Sequence, residues 1–316
     1  MQRDKLVQNP GWGYFYVISA AVLWASSGSA AKFLFNGGVT TFQVMQLRLT
    51  LAAAVLCLVL GLGRRNLLRI DLNELPYFIS LGALAMAGVQ FCYLLAISRI
   101  NVAAAILLQY LAPSLIALFT IVVVREKLSW PVLIALVCAT IGCYLVVGAY
   151  DLNLLSLNRI GIVAGLLSAV TFAWYSLQGE YGMRRHHPLT IHFYAILFAA
   201  VTWNIIYPPL EAFRHAYRSI EWFWILYIAL FGTLVPFWLY FAGINLIRSA
   251  RASITATLEP ITAGLLSYLF LGEVMAPLQI FGGILVIASV ILLQLKREQD
   301  RKTPALLKAQ NGIGGT

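Results

Sequence analysis

At 316 residues, 61% of them hydrophobic and 11% charged, with a mean hydropathy of +0.83, the chain is too apolar for a soluble domain, in which roughly half the residues are apolar and about a quarter charged. Its length suits about ten membrane spans of ~20 residues joined by short loops, with no room for a separate soluble domain. A net charge of +10 does not point to nucleic acid here, because the basic residues lie in short segments between apolar runs, where they report topology.

In chain order, Arg3 and Lys5 precede a first apolar run at about 12–35, longer than a signal-peptide core and therefore expected to remain as a span. It carries Trp24, small residues at 25–30 that permit close helix approach, and Lys32. The second run, about 40–62, holds Arg48, which helical rise places about 12 Å from its start. An arginine so deep is a functional candidate, although the sequence leaves open whether it reaches outward to the headgroups instead. Beyond Arg64, Arg65 and Arg69, the third run (76–98) contains Tyr93. The fourth (102–124) contains Gln109-Tyr110-Leu-Ala-Pro113, two polar side chains one turn before a mid-span proline. Ser129 and Pro131 are start signals for the fifth, 130–150.

The polar segment 151–159 then divides the chain into similar halves. The sixth run (160–182) contains Trp174 and Tyr175, and Arg184-Arg-His-His-Pro188 separates it from the seventh (189–208). These histidines and His192 lack a carboxylate or cysteine at ligand spacing, so a solvated basic loop is expected, with no metal and no cofactor. The four cysteines, 57, 92, 138 and 143, fall inside apolar runs as small packing residues. An amphipathic connector (211–221) leads to the eighth run, 222–247, interrupted by Gly232 and Pro236. The ninth, about 250–271, carries Glu259 followed by Pro260; the tenth is 277–295, and the charged, then glycine-rich tail 296–316 is expected to be disordered.

Glu259 is the focus of this pattern. Counted from Ala250, it lies about 13 Å into its span, near the midplane, where an ionised carboxylate costs several kcal/mol unless paired, hydrated or protonated. Pro260 removes a helical donor beside it and kinks the span, as Pro113 and Pro236 do in theirs. The sequence allows the acid to carry a proton, to hold a substrate ammonium or only to fix packing. Arg48 suits a substrate carboxylate or Glu259 itself. Gln109, Tyr110, Trp24, Trp174, Tyr175 and the pair Tyr93 and Tyr240 are candidates for the walls of a site, the aromatic ones through cation–π contacts. Glu126 and Glu273 sit just before the starts of following helices and are expected to be structural.

A shift of 147 residues superposes Tyr93 on Tyr240, Pro113 on Pro260 and Glu126 on Glu273, and a shift of 150 superposes Trp24 on Trp174. The expected fold is therefore an all-α polytopic membrane protein, with ten transmembrane helices in two five-helix repeats, 12–150 and 160–295. Five is odd, so the second repeat enters from the opposite side, giving inverted topology. That arrangement suits a transporter, with the proline-bearing fourth and ninth spans walling a central site.

Gly232-Thr-Leu-Val-Pro-Phe-Trp-Leu-Tyr-Phe-Ala-Gly243, Arg251-Ala-Ser, Leu258-Glu-Pro260 and Leu271-Gly-Glu273 resemble the pattern of EamA-type drug/metabolite transporters. Leu107-Leu-Gln-Tyr-Leu-Ala-Pro113 resembles the matching fourth span, and the resemblance covers roughly residues 12–295. It implies a secondary carrier of the bacterial inner membrane that exports small metabolites such as aromatic or threonine-type amino acids, or amines, driven by protons or by downhill flow. It leaves open an importer or exchanger of the choline, nucleoside or sugar class, and a monomer or a homodimer. The first half departs from the pattern at Ala112, where the second has Glu259. An intramembrane enzyme would need a motif such as H-E-x-x-H or G-x-S-x-G, and neither occurs; a non-transporting scaffold has no need of paired mid-span prolines around an acid. The expected partners are thus a small-molecule substrate, protons and the lipid bilayer, and no nucleic acid.

Of the 22 lysines and arginines, sixteen fall on one side of this layout and five on the other, with Arg48 inside a span. The richer side, which holds both termini, is expected to be cytoplasmic. Reporter fusions after residue 155 should read outside and fusions after residue 186 inside; the reverse pattern at either site would refute the layout.

Overall fold

In hydrocarbon no water is present to satisfy backbone N–H and C=O groups, so each apolar run must bond within itself, and a helix does so. The computed structural model describes residues 10–100, 102–146, 148–150, 158–271, 276–295 and 302–310, and no strand occurs among them. Among the described residues, eight helices are long and apolar enough to cross a bilayer: Pro10–Asn36, Thr41–Gly63, Leu72–Arg99, Ala104–Val122, Arg159–Gly182, Pro188–Ile206, Ser219–Ala256 and Pro277–Leu295. The shorter Trp130–Val146 is a ninth apolar helix. Ser219–Ala256 is 38 residues long, about twice what one crossing needs. It breaks at Arg248, whose φ of 67° and ψ of 164° lie outside the helical region, so the eighth span ends there and the ninth begins. Ten spans result. The dividing segment 151–157, Glu273 and the tail residues 296–301 and 311–316 lie outside the described residues.

Local chemistry sets several of the ends. Thr40 and Gln43 form a reciprocal capping box at the start of the second span, and the Asn158 side chain accepts from the amides of Ile160 and Gly161 at the start of the sixth. The fourth and ninth spans are each two half-helices. Val102–Gln109 is followed by Ala112–Val122 in the fourth, and 249–256 by Leu258–Leu271 in the ninth. The third and eighth share a second irregularity, a π-helical stretch at Ser80–Met86 and at Leu230–Leu234. Residues 302–310 correct the expectation of a disordered tail. Pro304, pre-set for a first helical turn, opens a helix to Gln310, Thr303 and Ala305 are buried, and the Lys308 ammonium donates to the His186 carbonyl at 2.9 Å. Burial of that ammonium lowers its pKa to about 8.

One end of the bundle gathers the loops that the basic count places together: His186 pairs with Glu74 at 2.9 Å, and Glu126 with Arg248 at 2.9 Å and Lys302 at 3.0 Å. At the other end the Lys32 ammonium donates to the Ile97 carbonyl at 2.9 Å, and Arg218 pairs with Glu221. Without a hydrophobic drive between helices in lipid, close packing depends on small residues. The fifth and tenth spans meet at Gly142 and Gly282: a Cβ on Gly142 would lie 2.8 Å from the Gly282 carbonyl oxygen, and one on Gly282 2.7 Å from that of Gly142. Those neighbours are backbone and cannot rotate away. Gly142→Val should therefore lower stability in detergent by about 1–3 kcal/mol, read as an earlier thermal transition, whereas Ile141→Val, on the exposed face of the same helix, should leave the transition unmoved.

Candidate functional site

The prolines decide where the polar groups must go. Pro236 has no N–H to offer the carbonyl four residues back, that of Gly232. Arg48 answers from the second span: its Nη2 donates to the Gly232 oxygen at 3.0 Å and its Nε to Thr233 Oγ1 at 2.7 Å. The Thr233 hydroxyl in turn donates to the Ile228 carbonyl across the π-helical turn. With 4% of its surface exposed, Arg48 does not reach out to the headgroups, and among the described residues it forms no ion pair with Glu259 or any other carboxylate. From the seventh span, His192 Nε2 lies 2.9 Å from the Leu234 carbonyl, so a second helix also supports the same stretch.

Pro260 acts likewise on the carbonyl of Ala256. The Tyr110 hydroxyl, from the break in the fourth span, donates to that oxygen at 2.7 Å and lies 2.8 Å from Glu259 Oε2. Tyr93 Oη is 3.4 Å from Glu259 Oε1. Glu259 is 7% exposed and Tyr110 is buried. The two broken helices are thus joined at their breaks by one tyrosine and one acid.

Arg48, Tyr93, Tyr110, Gln109, Trp24 and Glu259 all line a single cavity in the middle of the bundle. Its volume is ≈ 30 Å³, on a scale where one water needs about 10–15 Å³, so this conformation encloses water-sized space and no metabolite. Two donors on its wall, Trp24 Nε1 and Gln90 Nε2, are buried and have no hydrogen-bond partner among the described residues. Gln90 is a site residue that the sequence reading missed; a glutamine inside the apolar third run was signal enough to find it. Phe172 and Phe237 also form the wall and pack edge-on to Trp24, with centroids 6.1 and 4.9 Å away. Nothing set them apart among 17 phenylalanines.

The other candidates stand elsewhere. Tyr240 forms a second layer, fully buried, with its ring 5.4 Å from Trp24 and its hydroxyl 2.9 Å from Ser176 Oγ. Tyr175 is buried against Phe241, stacked at 4.5 Å, and is not on the cavity wall. Trp174 corrects its expected role: it is 41% exposed on the outer face. Two residues along a helix turn the side chain by about 200°, so a helix that presents Phe172 inward must present Trp174 outward. At a shift of 148 rather than 150, Trp24 superposes on Phe172. The three prolines lie at the breaks or just after them: Pro113 is the second residue of Ala112–Val122, Pro260 the third of Leu258–Leu271, and Pro236 the second after the π-helical stretch. No group of three histidine, cysteine or acidic side chains able to hold a metal occurs among the described residues.

The pattern of the EamA-like transporter family matches this chain twice, over residues 11–148 and 159–295. An inner membrane transporter of Salmonella typhimurium, YicL, itself described as uncharacterized, is 29% identical over 292 residues, 90% of this chain and 95% of its own. An uncharacterized transporter of Archaeoglobus fulgidus is 28% identical over 284 residues, covering 89% and 96% of the two chains. The threonine/homoserine exporter RhtA of Escherichia coli K12 is 24% identical over 293 residues, 90% and 93% of the two. One solved crystal structure shares the fold with a TM-score of 0.72 at 19% identity, covering 90% of this chain and 96% of that one.

Arg48 tests the proline argument. Arg48→Met should cost about 1–3 kcal/mol of stability by leaving a buried carbonyl unpaired. In a Pro236→Ala background, where the helix regains its own donor, the same change should cost measurably less in thermal unfolding.

Proposed function

This chain belongs to the EamA-like transporter family, and from that premise we propose that it is a secondary-active exporter of small zwitterions or amines, amino acids foremost, that works by alternating access across a bacterial inner membrane with both termini in the cytoplasm. The observation that carries this reading is Glu259, a buried carboxylate in a central cavity, held by tyrosines from two other spans. Such a group can hold a proton or a substrate ammonium but not both at once, and that competition is what couples two fluxes in antiport. The unpartnered donors Trp24 Nε1 and Gln90 Nε2 suit the carboxylate end of a zwitterion, with Trp24, Phe172 and Phe237 walling its apolar part. The likeness to RhtA, named for threonine and homoserine, supports the amino-acid class.

Glu259→Gln keeps size and hydrogen bonding and removes the titratable charge. Transport of an amino-acid panel in proteoliposomes should fall at least about tenfold, the worth of one hydrogen bond to a charged group, and its dependence on pH should vanish, while thermal unfolding stays near that of the wild type. Wild-type rates with a wild-type pH response in the folded mutant would discard Glu259 as the coupling group. Lowered thermal stability with unchanged transport per folded molecule would assign it to packing.

A further inference from the structure

Tyr110 has one hydroxyl proton and faces two acceptors, the Ala256 carbonyl at 2.7 Å and Glu259 Oε2 at 2.8 Å. When Glu259 is ionised, both are acceptors only, and a single proton cannot serve both at full strength. The competition matters because Pro260 has removed the amide that would bond Ala256 in a regular helix. When Glu259 is protonated the count balances: the carboxylic acid donates to Tyr110 Oη, and Tyr110 donates to the Ala256 oxygen.

We propose that Tyr110 is the positioning residue through which the proton on Glu259 controls the break in the ninth span between 249–256 and Leu258–Leu271. Protonation directs the tyrosine proton to the Ala256 carbonyl and closes the break. Ionisation draws it toward Oε2, leaves the carbonyl under-bonded and loosens the hinge. This rests on Glu259 as the coupling acid and adds the route by which its charge reaches the backbone. A carbonyl exposed to water would make the exchange inconsequential, but Ala256 is fully buried and is not among the residues that line the cavity.

The other ionisable groups around Glu259 leave the count intact. Tyr93 of the third span can donate to Oε1 in either state, though at 3.4 Å its bond is long. Arg48 of the second span shares the cavity but is committed to Gly232 and Thr233. Cys143 of the fifth lies 3.9 Å from the Thr257 carbonyl, one residue beyond the contested one. The Lys32 ammonium of the first span is bonded to the Ile97 carbonyl, and Pro277–Leu295, the tenth, contains no ionisable residue.

The test needs no known substrate. Hydrogen–deuterium exchange of the amides within 257–262, measured on the full chain in lipid nanodiscs from pH 5 to pH 9 and corrected for intrinsic exchange, reads the hinge directly. The wild type should lose protection with rising pH in one transition, by about fivefold or more. Glu259→Gln, whose amide can donate to Tyr110 Oη at every pH, should stay protected throughout. Tyr110→Phe should be unprotected and flat with pH. Tyr110→Phe with Pro260→Ala, in which the helix supplies the missing donor, should be protected and flat; it also shows whether a folding defect lies behind the single mutant. A wild-type transition that survives in Tyr110→Phe but not in Glu259→Gln overturns the role of Tyr110 and leaves the coupling acid standing. A transition that survives in Glu259→Gln overturns both.

Discussion

A carbonyl that has lost its helical donor inside a bilayer must find another, because lipid offers none. Pro236 and Pro260 each create one such carbonyl at mid-depth, and the donors that answer are Arg48 and Tyr110. Much of the centre follows from this. Arg48 is drawn inward from the second span and fixes it against the eighth; Tyr110 fixes the fourth against the ninth. The polar atoms that result surround a space with room for water, and Glu259 sits on its wall beside the proline that made the demand. Arg48 thereby acquires a backbone partner rather than an acidic one.

The two ends of the bundle answer a related demand with opposite charges. At a shift of 148 residues Lys32 superposes on Glu180. Lys32 donates to a carbonyl near the C-terminal end of the third span, whereas Glu180 accepts from the Ser249 amide at 2.7 Å, at the N-terminal start of the ninth, and from Arg248 Nε at 2.8 Å. Helix C-termini favour cations and N-termini favour anions. The same position in the two halves therefore carries the charge that suits the helix end it meets. The Glu180 end is the more heavily bonded, since Arg248 also reaches Glu126, which in turn binds Lys302. Those two bonds outweigh the cost of partial burial and hold the Glu126 carboxyl below its usual range.

The likeness between halves is one of placement rather than of chemistry. Both halves have a broken helix and a π-helical stretch, but Ala112 replaces the acid and Pro113 has no counterpart of the Tyr110 contact among the described hydrogen bonds. The first half thus supplies donors, Arg48, Tyr93 and Tyr110, and the second supplies the acid and the freed carbonyls. Among the described residues, the cavity wall thus carries one acid and donors from the first half.

The sequence by itself determined the spans, the prolines that break them and the one acid at mid-depth. Apolar run length, a missing amide and the cost of burying a charge are local properties, and they act wherever the rest of the chain lies. Six of the nine candidate site residues line the cavity; of these, Gln109, Tyr110 and Glu259 flank the two helix breaks, and Trp24, Arg48 and Tyr93 come from unbroken helical stretches. Tertiary structure alone decided the rest. Which way Trp174, Tyr175 and Tyr240 point depends on the rotation of each helix against its neighbours, and a two-residue error in the shift turns a side chain from the cavity to the lipid. Whether Arg48 reached for water, Glu259 or a carbonyl was likewise settled by contacts 184 and 185 residues apart in the chain, since an arginine takes whichever acceptor packing brings within about 3 Å.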